Sequence, residues 1–173
     1  MDTFKQYTMA LPRFILFSAL ILPIYTGILK DANLFILLSA TEFINHFLKQ
    51  GFKILMGKDS YTFIGTGTRP KGATDSGIFV KNKLSTSYGM PSGHSAITTV
   101  FSTYLVFNRI IPSSYNLSIK ILLTIIVLSL IPIIMYSRVK LSKVHTIQQT
   151  ICGLILGTLI FVLYNKIETK IKY

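Results

Sequence analysis

The stretch YGMPSGHSAITTVF gathers helix-starting residues around a histidine, immediately before an apolar segment. Pro91 fits the first turn of a helix because its missing N–H would be unpaired there, and Ser92 is a suitable cap. Gly93 lets a ligand approach the backbone closely, and a helix N-terminus binds anions through its free amides and positive dipole end. His94 beside such a site can donate a proton to a leaving oxygen. The plainer interpretation of the same residues is a simple helix cap.

A second histidine follows a basic turn in the stretch YSRVKLSKVHTIQQ. Gln149 lies one helical turn after His145, where its amide oxygen can accept a hydrogen bond from the ring and fix the tautomer. A histidine oriented in this way presents its other nitrogen as a base or nucleophile. Arg138 lies at the other end of the turn, whereas Lys140 and Lys143 are typical of cations that contact lipid headgroups.

Further polar residues occur in the stretch TEFINHFLKQGFK, where Glu42, Asn45 and Lys49 fall on one face of a helix. Polar side chains inside an apolar segment are costly and often functional. For Glu42 and Asn45 a structural network between helices is an equally good interpretation, whereas Lys49 favours function. Arg69 in GTRPK offers a guanidinium group suited to bidentate phosphate contact, although an Arg-Pro pair alone is weak evidence.

The elements that must position these residues are apolar. Half of the 173 residues are hydrophobic, only 14% are charged, and the mean hydropathy is +0.54, which is high for a water-soluble domain. Segments of nearly bilayer-spanning length occur at Phe14–Leu29, Leu34–Leu48, Ser95–Ile111, Ile119–Tyr136 and Ile147–Tyr164. The second is the weakest because Glu42, Asn45 and His46 interrupt it. The sequence predicts an all-α, polytopic transmembrane helix bundle of about five spans, forming a single domain over residues 1–173.

The net charge and the cysteine content limit which partners and metal sites the protein can have. A net charge of +12 would indicate nucleic acid in a soluble protein, but here many cations flank apolar segments, where they meet lipid headgroups. We therefore expect the bilayer and phosphate-bearing lipids as partners, and no nucleic acid. Cys152 is the single cysteine, which excludes an intrachain disulfide and a cysteine-rich metal site. No cofactor or metal is expected.

Topology predicts one polar site at one membrane face. The long segment from residue 57 to residue 90 is rich in glycine and is typical of a loop rather than a helix. With five alternating spans, this loop shares a face with the end of span 2, the start of span 3, the end of span 4 and the start of span 5. That face collects Lys49, Lys53, Arg69, His94, Arg138 and His145.

Together these motifs resemble the type 2 phosphatidic acid phosphatase superfamily of integral membrane phosphatases. The family signature is KxxxxxxRP, PSGH and SRxxxxxHxxxD, and this chain has a lysine, RP, PSGH and SRVKLSKVH in the same order. The likeness covers roughly residues 34–157. Within the superfamily the dolichyldiphosphatase branch is most similar, because EFINHFLK resembles its ExxNxxLK helix and HTIQQTICG resembles its HTxxQ variant.

The resemblance implies a metal-independent histidine phosphatase acting on a polyprenyl diphosphate or another lipid phosphate, in the endoplasmic reticulum or another internal membrane. His145 would attack phosphorus and become phosphorylated, and His94 would protonate the departing oxygen and then activate water. Gln149 would orient His145 in place of the usual aspartate. The groups that would hold the phosphoryl oxygens are Lys49, Arg69, Arg138, the Ser92 hydroxyl and the Gly93 amide.

Three features depart from the family pattern. Nineteen residues separate Lys49 from Arg69 where the pattern has six, so that Lys53 or Lys58 are alternatives for the phosphate-binding lysine. Six residues separate Arg138 from His145 where the pattern has five, and five predicted spans replace the usual six.

Two other functions remain open at this stage. One is a catalytically impaired relative that binds phospholipid, and the other is a membrane scaffold or assembly protein with a cationic face. The excess of Lys and Arg favours a cytosolic site, whereas the dolichyldiphosphatase resemblance implies a lumenal one. The oligomeric state is open.

Overall fold

The computed structural model describes residues 2–26, 32–57, 61–62, 65–74, 84–85 and 87–171. Helices dominate, as the apolar segments predict. The elements in chain order are α1 (Asp2–Thr26), α2 (Ala32–Met56), β1 (Tyr61–Thr62), β2 (Gly65–Thr66), α3 (Gly93–Leu105), α4 (Leu117–Tyr136) and α5 (Ile147–Ile171). Two π-helical turns extend α3 and α4, over Val106–Ile110 and Ser137–Leu141. The predicted all-α class is confirmed.

Three of the described helices are long and apolar enough to cross a bilayer, within Gln6–Thr26, Leu117–Leu141 and Ile147–Lys170. Their outer side chains are exposed, as lipid-facing residues are, including Ile125 at 62%. Helices α2 and α3 fall short of this composition, although both coincide with predicted spans. In α2 the reason is polar content, since it carries Glu42 and Lys49. Helix α3 has only 13 residues, which is short for a span, and it also carries a series of serines and threonines.

Helix α3 lies at the centre and packs against all four other helices. Its polar side chains are buried among helices rather than exposed to lipid, which explains how a helix of modest hydropathy can lie inside a membrane bundle. The apolar core joins α3 to its neighbours and includes Leu38, Val100, Tyr104 and Phe161. Helix α2 also has an apolar outer face, with Phe43 73% exposed.

Two glycines of α5 bring its backbone against that of α3. A Cβ atom at Gly153 would lie 2.3 Å from the carbonyl oxygen of Ser92, and one at Gly157 would lie 2.6 Å from that of Ala96. No side chain fits in either place without displacing the backbone. The two helices whose first residues adjoin the predicted histidines are therefore in main-chain contact.

The segment between α2 and α3 contains no helix among its described residues, in agreement with the predicted loop. Strands β1 and β2 form an antiparallel hairpin in which Tyr61 pairs with Thr66. Part of the excess length between Lys49 and Arg69 is helical, because α2 continues past Lys49 to Met56. The hairpin takes up more of that excess.

Candidate active site

Arg138 and His145 are held together by the backbone between them. The π-helical turn Ser137–Leu141 follows α4, and the N–H groups of Val144 and His145 both donate to the carbonyl oxygen of Arg138, at 3.1 and 3.3 Å. A π-helical turn accommodates one residue more than an α-helical turn. This turn gives a structural account of the six residues between Arg138 and His145 where the family pattern has five. The Arg138 side chain is fully buried.

His145 is oriented by the first turn of α5. Its Nδ1 lies 3.0 Å from Oε1 of Gln149, and the same oxygen accepts the backbone N–H of Thr146 at 3.2 Å. In return, the N–H of Gln149 donates to the hydroxyl of Thr146 at 3.3 Å, which completes a capping box. Because the amide oxygen can only accept, Nδ1 of His145 carries the hydrogen. The other ring nitrogen, Nε2, is then the unprotonated one.

The electrostatic environment keeps His145 neutral. Burial contributes most and the positive charges of Arg69 and Arg138 add to it, so that the pKa of His145 lies well below its ordinary value. The hydrogen bond with Gln149 acts in the opposite direction but does not reverse the shift. A neutral imidazole with a free lone pair is the form required of a nucleophile.

The amide nitrogen of Gln149 reaches a different part of the chain. It donates to the carbonyl oxygens of Thr66 and Thr68, at 2.8 and 2.7 Å, on the segment that leads to Arg69. These two acceptors fix which end of the amide is nitrogen. Gln149 is fully buried, and a Cβ atom at Gly89 would lie 2.6 Å from its amide.

Arg69 is held by the segment that precedes α3. Its Nε donates to the carbonyl oxygen of Ser87 at 3.3 Å, and Nη2 donates to the Ser87 hydroxyl at 2.8 Å. Nearby, the N–H groups of Gly89 and Met90 donate to the carbonyl oxygen of Gly67. Ser87 has no signal in the sequence, because a lone serine in a loop is common.

The start of α3 differs in detail from the prediction. The helix begins at Gly93 with Ser92 as its N-cap residue, so that Pro91 precedes the cap and does not lie in the first turn as predicted. Ser92 makes no side-chain capping bond, and its buried hydroxyl accepts from Ser95 at 3.3 Å. The buried Asn45 side chain lies over this terminus, since a Cβ atom at Gly93 would be 2.8 Å from its Nδ2.

His94 finds its partner on α1, which sequence reasoning missed. Its Nε2 lies 3.2 Å from the carbonyl oxygen of Met9. Because a carbonyl oxygen only accepts, Nε2 carries the hydrogen, and Nδ1 is the nitrogen available for proton transfer. A backbone carbonyl gives no sequence signal, so this contact could not be read from residue types.

The cations converge as the topology predicts. The charge of Lys49 interacts with those of Arg69, Arg138 and Glu42, and His145 is influenced by Arg69, Arg138 and His94. Of the alternative lysines, Lys53 is exposed one turn further along α2, and Lys58 lies outside the described residues. All eight predicted site residues therefore lie at one end of the bundle.

Potential metal ligands do not converge in the described part of the chain, where no three His, Cys, Asp or Glu side chains could hold a metal ion. Glu42 is the acidic residue whose charge interacts with that of Lys49.

Comparison with known proteins agrees with this architecture. The family model of the PAP2 superfamily matches residues 14–173, whereas no curated protein matches the chain. Among solved structures, the chain is similar to the crystal structure of a transmembrane PAP2-type phosphatidylglycerolphosphate phosphatase from Bacillus subtilis, with a TM-score of 0.68 at 22% sequence identity. The match covers 96% of this chain and 76% of that chain.

The family and the fold support a membrane phosphatase that acts on a lipid phosphate. The matched range contains the predicted site residues Lys49, Arg69, His94, Arg138 and His145. Because it extends over nearly the whole sequence, the chain belongs to the PAP2 superfamily.

Proposed function

We propose that this chain is a single-domain membrane phosphatase that hydrolyses a polyprenyl diphosphate or another lipid phosphate through a phosphohistidine. The observation that carries the proposal is the pair of oppositely prepared histidines. His145 donates from Nδ1 to Gln149 and keeps Nε2 unprotonated, whereas His94 donates from Nε2 to the Met9 carbonyl. One ring is prepared to attack and the other to transfer a proton through Nδ1.

The reaction has two steps. In the first, Nε2 of His145 attacks phosphorus, the bond from phosphorus to the leaving oxygen breaks, and that oxygen takes the Nδ1 proton of His94, whose ring carries a hydrogen on both nitrogens before this step. In the second, His94 accepts a proton from water while the water oxygen attacks the phosphohistidine. Inorganic phosphate leaves and both histidines return to their starting states.

The cations supply the charge stabilisation. Lys49, Arg69 and Arg138 interact electrostatically around the histidines and can hold the three equatorial oxygens of the transferring group. The Ser92 hydroxyl and the Gly93 amide lie at the uncapped start of α3, where an oxyanion is stabilised by the helix dipole.

The substrate is proposed to be a polyprenyl diphosphate of the dolichyl type. The support is the HTxxQ motif, in which a neutral glutamine replaces the aspartate of the commoner pattern. A neutral residue beside the nucleophile reduces repulsion of a highly charged diphosphate. Exposed apolar side chains on α2 and α4 would meet the lipid chain in the bilayer.

The test is release of inorganic phosphate by the purified protein from a panel of lipid monophosphates and diphosphates in lipid nanodiscs. We expect turnover with a preference for the diphosphate, and a phosphoenzyme that disappears in His145→Ala. Binding of lipid phosphate without turnover would indicate the impaired relative instead. Neither binding nor turnover would favour the scaffold.

A further inference from the structure

We propose that Gln149 is a positioning residue for the phosphate-binding segment as well as for His145, so that one side-chain amide couples the location of Arg69 to the orientation of the nucleophile. This inference rests on the proposed function. It assigns to the amide nitrogen a role that an aspartate at the same position cannot perform, because a carboxylate has no hydrogen to donate.

The first support is that the oxygen and the nitrogen of the Gln149 amide bind different parts of the chain. The oxygen of Gln149 accepts from His145 and from the N–H of Thr146, both in the loop that enters α5. The nitrogen donates to Thr66 and Thr68, which lie 83 and 81 residues away along the chain. Both amide hydrogens are thereby used on the segment that leads into Arg69.

The second support is the way in which that segment is otherwise attached. Gly67 accepts from Gly89 and Met90, and Arg69 donates to Ser87, so these bonds tie the segment to the residues before α3. The bonds from Gln149 tie it instead to α5. The residues before α3 are also joined to α5, because the N–H of Ser92 donates to the carbonyl oxygen of Gln149 at 3.0 Å. The side-chain amide adds a direct link between the segment that leads to Arg69 and the residue that orients His145.

The third support is the fit around the amide. Gln149 has no exposed surface, so water does not readily replace its partners. A Cβ atom at Gly89 would lie 2.6 Å from both amide heteroatoms, so a glycine at this position leaves the space that the amide occupies. Losing the amide leaves two partly buried carbonyl oxygens without these donors, which favours a shift of the segment that satisfies them.

The experiment is a double-mutant cycle on the direct binding of inorganic phosphate and of orthovanadate to the purified protein, without turnover. The four proteins are the parent, Gln149→Ala, Arg69→Ala and the double variant. If Gln149 acts on anion affinity through Arg69, Gln149→Ala weakens binding about tenfold in the parent and less than about twofold in the Arg69→Ala background. Equal weakening in both backgrounds, or none in the parent, overturns the coupling.

A second pair of variants keeps the test valid if Gln149→Ala does not fold. Gln149→Glu keeps the oxygen that faces His145 and removes both donors, whereas Gln148→Glu adds the same charge at an exposed neighbouring position. We expect faster hydrogen exchange of the backbone amides of residues 65–68 in Gln149→Glu only. Equal exchange in the two variants contradicts the inference. A parent that binds neither anion overturns the proposed function too, whereas anion binding without coupling overturns this inference alone.

Discussion

The two histidines of the site are prepared by contacts of very different range. His145 is oriented by a residue four positions along the chain, inside the same capping box, whereas the partner of His94 is a backbone carbonyl 85 residues earlier on α1. The contact between His145 and Gln149 is local and forms whenever α5 begins at Ile147. The second exists only after α1 has packed against α3. The proposed nucleophile is thus oriented by a local contact, whereas the contact of the proposed proton donor depends on the assembled bundle.

We expect the largest effect from replacing His145, the histidine that a local contact orients. His145→Ala eliminates the nucleophile, so we expect no phosphoenzyme and a loss of turnover of about a thousandfold or more. The measurement is trapping of labelled phosphoenzyme together with phosphate release. His46→Ala is the matched control, because His46 is exposed on α2. A phosphoenzyme that persists in His145→Ala would show that another residue attacks phosphorus.

Replacing the other histidine distinguishes the two roles. His94→Ala is expected to slow turnover by about a hundredfold to ten-thousandfold for an alkoxide leaving group, because general acid catalysis is worth that much. The loss should be much smaller for an acidic phenol, which departs without a proton. Rates of phosphoenzyme formation with both leaving groups provide the measurement. Equal slowing for the two substrates would contradict the role of His94 as general acid.

We expect the next largest effect from replacing Gln149, the residue that orients His145. Gln149→Ala should lose about tenfold or more in turnover, as orienting partners of functional histidines commonly do. We expect Gln148→Ala to stay near the parent, since its side chain is exposed. If Gln149→Ala matches the parent in rate and pH profile, the orienting role lies elsewhere, with Gln148 the nearest candidate.

The pH profile sharpens this point. The proposed mechanism needs unprotonated His145, so activity should be lost as the pH falls through the pKa of that ring, which burial and the arginines hold below the ordinary value. A carboxylate beside the ring raises the pKa, so Gln149→Asp should move the acidic limb of kcat/KM upward. It should retain activity, at a reduced rate because the donors to Thr66 and Thr68 are lost. An unmoved limb would contradict the account of His145.

The smallest effect concerns the long-range contact of His94. The hydroxyls of Thr8 and Ser137 hydrogen-bond one residue away from Met9 and help to hold α1 in place. Thr8→Val should slow turnover of an alkoxide substrate about twofold to fivefold, the effect of one hydrogen bond. Thr26→Val is the control, because its hydroxyl bonds within the exposed far end of α1. An equal effect of both variants would mean that α1 does not position His94.

Much of the site could be predicted because its residues lie in short motifs at the ends of helices. The order of the motifs and the alternation of apolar segments were enough to predict that His94, His145, Arg69, Arg138 and Lys49 share one face. The spacing of one helical turn between His145 and Gln149 predicted their contact, whereas the capping box with Thr146 was not predicted. These patterns involve residues close together in the chain, so they can be recognised in the sequence.

What the sequence concealed depends on packing or on the backbone. The Met9 carbonyl has no side-chain identity, and Ser87 is an ordinary loop serine until Arg69 lies beside it. The sequence predicts Pro91 inside the helix, two positions too early, because residue preferences do not locate a helix start so closely. Helix α3 coincides with a predicted apolar span but contains many serines and threonines. These side chains are tolerated because they face other helices.

The glycines of α5 have a consequence for how the protein meets membranes of different composition. At Gly153 and Gly157 the spacing between α5 and α3 is fixed by main-chain atoms, which cannot adjust by changing rotamers. The two histidines of the candidate site lie at or beside the starts of these two helices. Bilayer thickness and lipid saturation act instead on the exposed apolar side chains of the outer helices. We therefore expect the headgroup chemistry to tolerate a wide range of host bilayers, while preference for the hydrocarbon chain varies with them.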